Sequence, residues 1–281
     1  MVRIGCHVSI AGGIDKSVER AEELGCDVFQ IFSSNPRGWK AKDLDPDVVA
    51  RFKQKLRSSR IREVFVHMPY LPNPATPKPD LYQRSKDVIV RELDRCGALG
   101  IPYLIMHPGS HLGSGRNEGI KRIAGAVNEA FSRADSDNVM LLLENTAGTS
   151  NELGGDLRDL ASVMKLVDDK ERVAVCFDTC HAFSAGYDLR TADAVECLAG
   201  IIDDTIGPGR LLAIHLNDSK GDMGGHRDRH EHIGLGKIGN EGFSAILHHE
   251  KLKEIPMVLE TPVDGRRSDA GNIVCVRHLS E

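Results

Sequence analysis

The chain has no excess of positive charge. Its 36 Lys and Arg face 41 Asp and Glu, a formal net charge of −5. Taken alone, that balance speaks against a general nucleic-acid binder, which shows a basic surplus. No apolar run approaches the roughly 18–20 residues of a membrane span, so no membrane association is expected. The opening MVRIGCHV runs straight into apolar sequence, without the charged stretch and long apolar region of a secretion signal. A cytoplasmic protein is expected, with its seven cysteines as thiols. Cys6, Cys26 and Cys176 sit in or beside apolar runs and read as small buried hydrophobes. Cys176 and Cys180 flank Asp178 without zinc-knuckle spacing, and a structural role is expected for them. No linker-like stretch divides the chain, so residues 1–281 are expected to form one domain.

What is present is an alternation. Eight β-rich runs occur at 3–9, 27–33, 63–70, 103–109, 139–146, 173–183, 211–218 and 256–262. Several are nearly continuous in apolar residues, as strands buried on both faces are. Helical patterns lie between them. Ile14, Val18, Ala21 and Leu24 fall at helical spacing and end at Gly25. Val88, Ile89, Leu93, Cys96 and Leu99 form a second stripe, closed by Gly100 and Pro102. Residues 45–56, 116–134, 156–167 and 191–206 give further helices. Eight β/α alternations in a chain of this length predict an α/β fold of the TIM (β/α)8 barrel type rather than an open doubly wound sheet. Five of the twelve prolines crowd into 69–79, which predicts a stiff surface loop after the third strand.

In such a barrel the active site lies at the C-terminal ends of the strands, and here those ends are polar. The third run gives His67, the fourth His107 and the fifth Glu144. The sixth gives Asp178, with His181 three residues on. The seventh gives His215, followed by Asp228 and His230 in LAIHLNDSKGDMGGHRDRHEHIG, and the eighth gives Glu260. Any one of these could be a satisfied polar residue at a strand end. Nine in one mouth would repel or desolvate one another without cations. Imidazole and carboxylate suit Zn²⁺, with Mn²⁺ or Fe²⁺ as substitutes. Nine such groups suffice for two or three ions. Multi-metal sites clamp both the attacking and the leaving oxygen of a phosphate, which points to phosphodiester hydrolysis.

Other motifs carry less. GLGKIG at 234–239 matches a dinucleotide fingerprint, but comes late in the chain and does not open a βαβ unit. His111 in HPGSH is a candidate phosphate contact or an ordinary surface residue. His248 and His249 are expected to be solvated.

Three strings together resemble endonuclease IV, a family of metal-dependent apurinic/apyrimidinic endonucleases built on a TIM barrel. They are DVFQIFSSNPRGW (27–39), CFDTCHAFSAGYD (176–188) and IHLNDSKGDMGGHRDRHEHIGLGKIG (214–239). HVSIAGG, HPGSH and LLLENTAG add to them, in order along essentially the whole chain. The resemblance implies a site of three zinc ions. His67, His107 and Glu144 would hold the first. Glu144 would bridge to the second, completed by Asp178, His215 and Glu260. His181, Asp228 and His230 would hold the third. It implies cleavage of double-stranded DNA 5′ to an abasic site, leaving a 3′-hydroxyl and a 5′-deoxyribose phosphate, together with 3′-phosphodiesterase end cleaning. Glu144 and Glu260 are the carboxylates best suited to orient or activate water. Arg37, Tyr70 and Leu71 match positions that enter the minor groove and base stack. Four ligand carboxylates against three dications leave the site net positive, which resolves the charge balance. A monomer is expected, nucleoid-associated in action if the source is prokaryotic. Gly225-His226 departs from the family pattern before Arg227-Asp228. A metal-dependent sugar isomerase or epimerase barrel is the alternative reading. The third ion's residues, Arg37 and the Tyr70-Leu71 pair distinguish the two.

Overall fold

In the computed structural model, which describes residues 2–281, eight parallel strands close into a barrel. They are β1 (Ile4–His7), β2 (Val28–Phe32), β3 (Glu63–His67), β4 (Tyr103–Met106), β5 (Met140–Glu144), β6 (Val173–Asp178), β7 (Leu211–His215) and β10 (Met257–Leu259). A two-stranded antiparallel ribbon, β8 (Asp218–Ser219) with β9 (His230–Glu231), stands between β7 and β10. Barrel order follows chain order, with β10 closing onto β1. No helix is long and apolar enough to cross a membrane among the described residues.

The outer layer follows the sequence stripes. The helices are α1 (Lys16–Glu23), α2 (Pro46–Ser58), α3 (Pro79–Leu99), α4 (Arg116–Arg133), α5 (Leu157–Leu166), α6 (Thr179–Ala185), α7 (Ala192–Ile206), α8 (Gly239–His248) and α9 (Asp269–Leu279). Their starts are chemically marked. Side chains of Asp45, Asp156, Thr191 and Ser268 accept first-turn amides of α2, α5, α7 and α9, as N-caps do. Two expectations shift. The sixth run ends as a strand at Asp178, and α6 takes over because the Asp178 carboxylate caps the His181 amide at 2.7 Å. The proline-rich loop is not purely a surface feature. Ala75 and Thr76 are fully buried. Asn73 binds it to the loop after β4, accepting from the Ser110 amide at 3.0 Å and donating to the Ser110 carbonyl at 2.9 Å. Gly109 lets Asn73 in: its φ is +88°, and a Cβ there would sit 2.3 Å from Asn73 Oδ1.

The barrel interior sets the parity of everything above it. Val28, Phe65, Ile105, Leu142, Ala174, Cys176, Ala213 and Val258 pack together as a separate inner cluster. Side chains alternate between faces along a strand. Two residues further on, toward the C-terminal mouth, the inward positions are Gln30, His67, His107, Glu144, Asp178, His215 and Glu260.

The loop that follows β2 is stapled to α3. Arg95 donates to Ser33 Oγ at 2.7 Å and to the Lys42 carbonyl at 2.9 Å. Arg91 reaches the Trp39 carbonyl at 2.7 Å and Glu92 at 2.9 Å. Glu92 is fully buried and also accepts from Ser33 Oγ. Arg84 lies over the Trp39 ring, 4.0 Å from its centroid. Glu92→Leu removes the carboxylate and leaves the Arg91 guanidinium and Ser33 Oγ without it. Stability is expected to fall by roughly 3–5 kcal/mol, the usual result of breaking a buried ion pair from one side. A lower urea midpoint checks this, and an unchanged midpoint would show the pair to be dispensable.

Candidate metal centre

The nine residues singled out from the sequence converge on one mouth. Glu144 is its centre. It is fully buried, with Oε2 3.0 Å from His67 Nε2 and 3.1 Å from His107 Nε2. Its Oε1 lies 2.9 Å from His215 Nδ1 and 3.4 Å from His181 Nδ1. Burial alone would raise the Glu144 carboxyl, but the imidazoles of His215 and His107 hold it well below the usual carboxylate range. Glu260 is likewise pushed up by burial and pulled down by His215, to about 2. Burial would lower His181, yet Asp178, Asp228 and Glu144 raise it well above the usual imidazole range. In these surroundings protonated imidazoles offset ionised carboxylates, and metal binding displaces such protons.

The donor set fits metal ions. His67, His181 and His230 each place Nδ1 within 2.8–2.9 Å of a backbone carbonyl, those of Met68, Asn145 and Glu260. A carbonyl only accepts, so each ring carries a hydrogen on Nδ1 and aims Nε2 into the mouth, where it is the nitrogen available to a metal ion. Metal-binding histidines are held in this way. His230 Nε2 is buried and has no hydrogen-bond partner, which a cation would supply. Among the described residues four groups have ligand atoms close enough to share an ion, and three of them are built from these nine residues alone: His67, His107 and Glu144; Glu144, Asp178, His215 and Glu260; and Asp178, His181 and His230. Asp228 stands at the rim, 3.3 Å from both His181 Nε2 and His230 Nε2. Thus Asp178 reaches toward the third group as well as the second. Cys180 is close enough to join Asp228 and His230, but burial pushes its thiol up to about 12. Without a cation beside it the thiol is neutral, unlike the carboxylates of the mouth.

Above the buried groups is an open cavity of about 570 Å³, lined by His7, His67, Tyr70, His181, His230 and Glu260, among others. Tyr70 is 65% exposed and Leu71 38%. The Tyr70 ring stands edge-on to Phe32, with centroids 5.2 Å apart. Its amide donates to the Pro36 carbonyl at 3.2 Å, joining the Tyr70-Leu71 loop to the loop that carries Arg37. Arg37 is exposed, and its amide donates to Asn35 Oδ1 at 3.0 Å.

The remaining motifs are accounted for locally. The amides of Gly234, Gly236, Ile238 and Gly239 all point at the buried Asp218 carboxylate, at 2.9–3.4 Å. GLGKIG therefore wraps an internal anion rather than a phosphate. A Cβ on Gly236 would lie 2.4 Å from the Ser219 carbonyl oxygen, which excludes any side chain there. His111 Nδ1 accepts the Gly113 and Gly115 amides at 3.2 and 3.3 Å, closing its own loop. His226 binds the Ala147 carbonyl at 3.0 Å, so the segment that departs from the family pattern is docked on the loop after β5. His248 is exposed as expected, but His249 is not solvated: its side chain is 9% exposed and pairs with Glu196 at 3.2 Å.

Two mouth residues escaped the sequence reading, His7 and Gln30. Both sit at ends of the first two strands, inside strings quoted for the resemblance, and the same inward parity that places His67 places them. The signal was available. Glutamine is a rare metal ligand, and the first two runs lack the acidic residues that drew attention elsewhere.

Residues 18–274 match the family model described as a xylose isomerase-like TIM barrel. A "Probable endonuclease 4" of Methanoculleus marisnigri is 55% identical over 280 residues, spanning all of this chain and 99% of that protein. The chain belongs to the endonuclease IV family. A second relative with the same name, from Nitrosopumilus maritimus, is 49% identical over 97% of this chain and 98% of its own length. Endonuclease IV from Thermus thermophilus superposes with a TM-score of 0.88 at 35% identity, covering 99% of this chain and 98% of that one. A D-tagatose 3-epimerase-like protein reaches a TM-score of 0.73 at 19% identity, a likeness of fold alone. Within the endonuclease IV family, this chain's mouth has the donor set of a metal-dependent enzyme.

Proposed function

We propose that this endonuclease IV family member is a base excision repair enzyme that cuts double-stranded DNA 5′ to an abasic site. The products are a 3′-hydroxyl and a 5′-deoxyribose phosphate, and blocked 3′ ends are cleaned by the same hydrolysis. The observation that carries this reading is the convergence of nine donors on one mouth, in adjoining and overlapping groups of which two share Glu144, with Asp228 3.3 Å from His181 and His230. His67, His107 and Glu144 would hold one zinc ion. Glu144, Asp178, His215 and Glu260 would hold a second, and His181, Asp228 and His230 a third, with Mn²⁺ or Fe²⁺ as substitutes. When bound, such ions lower the pKa of water toward about 7 and neutralise charge on the phosphate.

The protein's own groups divide the remaining work. Glu144 is walled in by four imidazoles and cannot reach substrate, so its role is to hold the ions together. Glu260, with 21% of its side chain exposed, joins the buried group around His215 and also lines the cavity, and it orients the incoming water. Tyr70 and Leu71 occupy the gap of the missing base, where unstacking is least unfavourable, and Arg37 follows the minor groove. One chain supplies all of these residues, which supports a monomer, and a cytoplasmic place of action fits DNA as substrate.

The test is a nicking assay on a duplex with one abasic site. Cleavage immediately 5′ to the lesion is expected, with ends that a polymerase extends. Prolonged strong chelation should abolish it and added metal restore it. Metal-loaded protein that leaves this duplex intact while epimerising a ketose would overturn the reading.

A further inference from the structure

Gln30 is the only inward strand-end residue of the mouth that cannot carry a charge, and it is fully buried. Its amide Nε2 lies 2.7 Å from Glu260 Oε1 and 3.0 Å from His7 Nδ1. Its Oε1 lies 2.8 Å from His215 Nε2. The orientation of this amide is determined by its partners. A carboxylate only accepts, so the nitrogen must face Glu260. The amide oxygen then faces His215, and it too only accepts. His215 must therefore carry its hydrogen on Nε2. That leaves His215 Nδ1, 2.9 Å from Glu144 Oε1 and 3.3 Å from Glu260 Oε2, as the nitrogen presented to the shared group. The second amide hydrogen goes to His7 Nδ1, which holds His7 as a neutral ring with its hydrogen on Nε2.

His67, His181 and His230 are oriented by backbone carbonyls. His215 alone among these four is oriented by a side chain, and that side chain also grips a second candidate ligand. We infer that Gln30 is a positioning residue of the centre. One carboxamide fixes the tautomer of His215 and turns Glu260 so that Oε2, not Oε1, faces the group. The inference rests on the reading above that His215 and Glu260 share an ion. No backbone amide or carbonyl on β2 can substitute, because those groups are committed to the barrel ladders.

Two variants test it. Gln30→Met keeps the length and removes both hydrogen-bonding groups. Gln30→Asn keeps the amide but withdraws it by one methylene, so it cannot span both partners. Three readouts apply to metal-depleted and zinc-loaded protein. They are zinc affinity by competition with a chromogenic chelator, the ring ¹⁵N shifts of His215, and kcat against KM on abasic duplex. Both variants are expected to lose roughly 10–100-fold in zinc affinity and in kcat, the usual effect of removing a partner behind a metal ligand. KM should change little, because Gln30 does not reach the DNA. In the zinc-loaded protein, the Nε2-protonated signature of His215 should give way to a mixture of tautomers. Wild-type zinc affinity together with an unchanged His215 signature in either folded variant would overturn the inference. Weakened zinc binding in the variants, combined with a wild-type protein that never nicks abasic DNA, would uphold the inference and remove the proposed reaction.

Discussion

Glu260→Gln is expected to lower turnover on abasic duplex by roughly 10²–10³-fold, comparable to deleting one transition-state-stabilising group, while DNA binding largely survives. The sign follows from what holds the side chain. Gln30 Nε2 donates to Oε1, so in the variant the amide oxygen must take that place. The new NH₂ then falls where Oε2 stood, 3.3 Å from His215 Nδ1. A donor there can neither take a proton from water nor bind a cation. The backbone is untouched, because the Glu260 amide still donates to Asn217 Oδ1 at 2.8 Å. Single-turnover nicking and equilibrium binding separate the two effects. A near-wild-type rate would remove Glu260 from the chemistry.

Glu144→Gln is expected to act through metal content. Four imidazoles lie within 3.4 Å of this one carboxylate, and it belongs to two of the three groups. Neutralising it deprives both of a shared anion. Elemental analysis of wild-type protein should find close to three metals per chain, and the variant should lose at least one. Nicking should fall below detection, and raising zinc in the assay should restore it only in part. A variant that keeps its full metal complement would show that Glu144 does not bridge.

The fold was legible because two periodicities coincide with eight repeats. Nearly continuous apolar runs mark the strands, and stripes such as Val88, Leu93, Cys96 and Leu99 mark the helices. The boundary after Asp178 was harder. Cys180, Ala182 and Phe183 continue the apolar character of β6, and only the capping carboxylate shows where the direction changes. At the site, charged residues at strand ends stood out against apolar neighbours. Gln30 did not, since a neutral amide in VFQIF looks like a tolerated polar residue until its three partners are known. The third group was read as His181, Asp228 and His230, while the geometry also brings Asp178 toward it. Contacts between a strand end and a loop far along the chain leave no trace in spacing.

The staple between α3 and the loop after β2 bears on how a lesion would be found if Arg37, Tyr70 and Leu71 meet DNA as proposed. Arg95, Arg91 and Glu92 fix Ser33, Trp39 and Lys42, and the Tyr70 amide ties its own loop to Pro36. In that role the loops that carry these residues would need little ordering when DNA arrives, and association would not wait for them to settle. The conformational work is left to the duplex. A duplex that already bends at a missing base does that work at lower free energy than an intact one. A rigid probe of this kind would turn DNA stiffness into selectivity, sampling intact duplex briefly and dwelling where the helix yields.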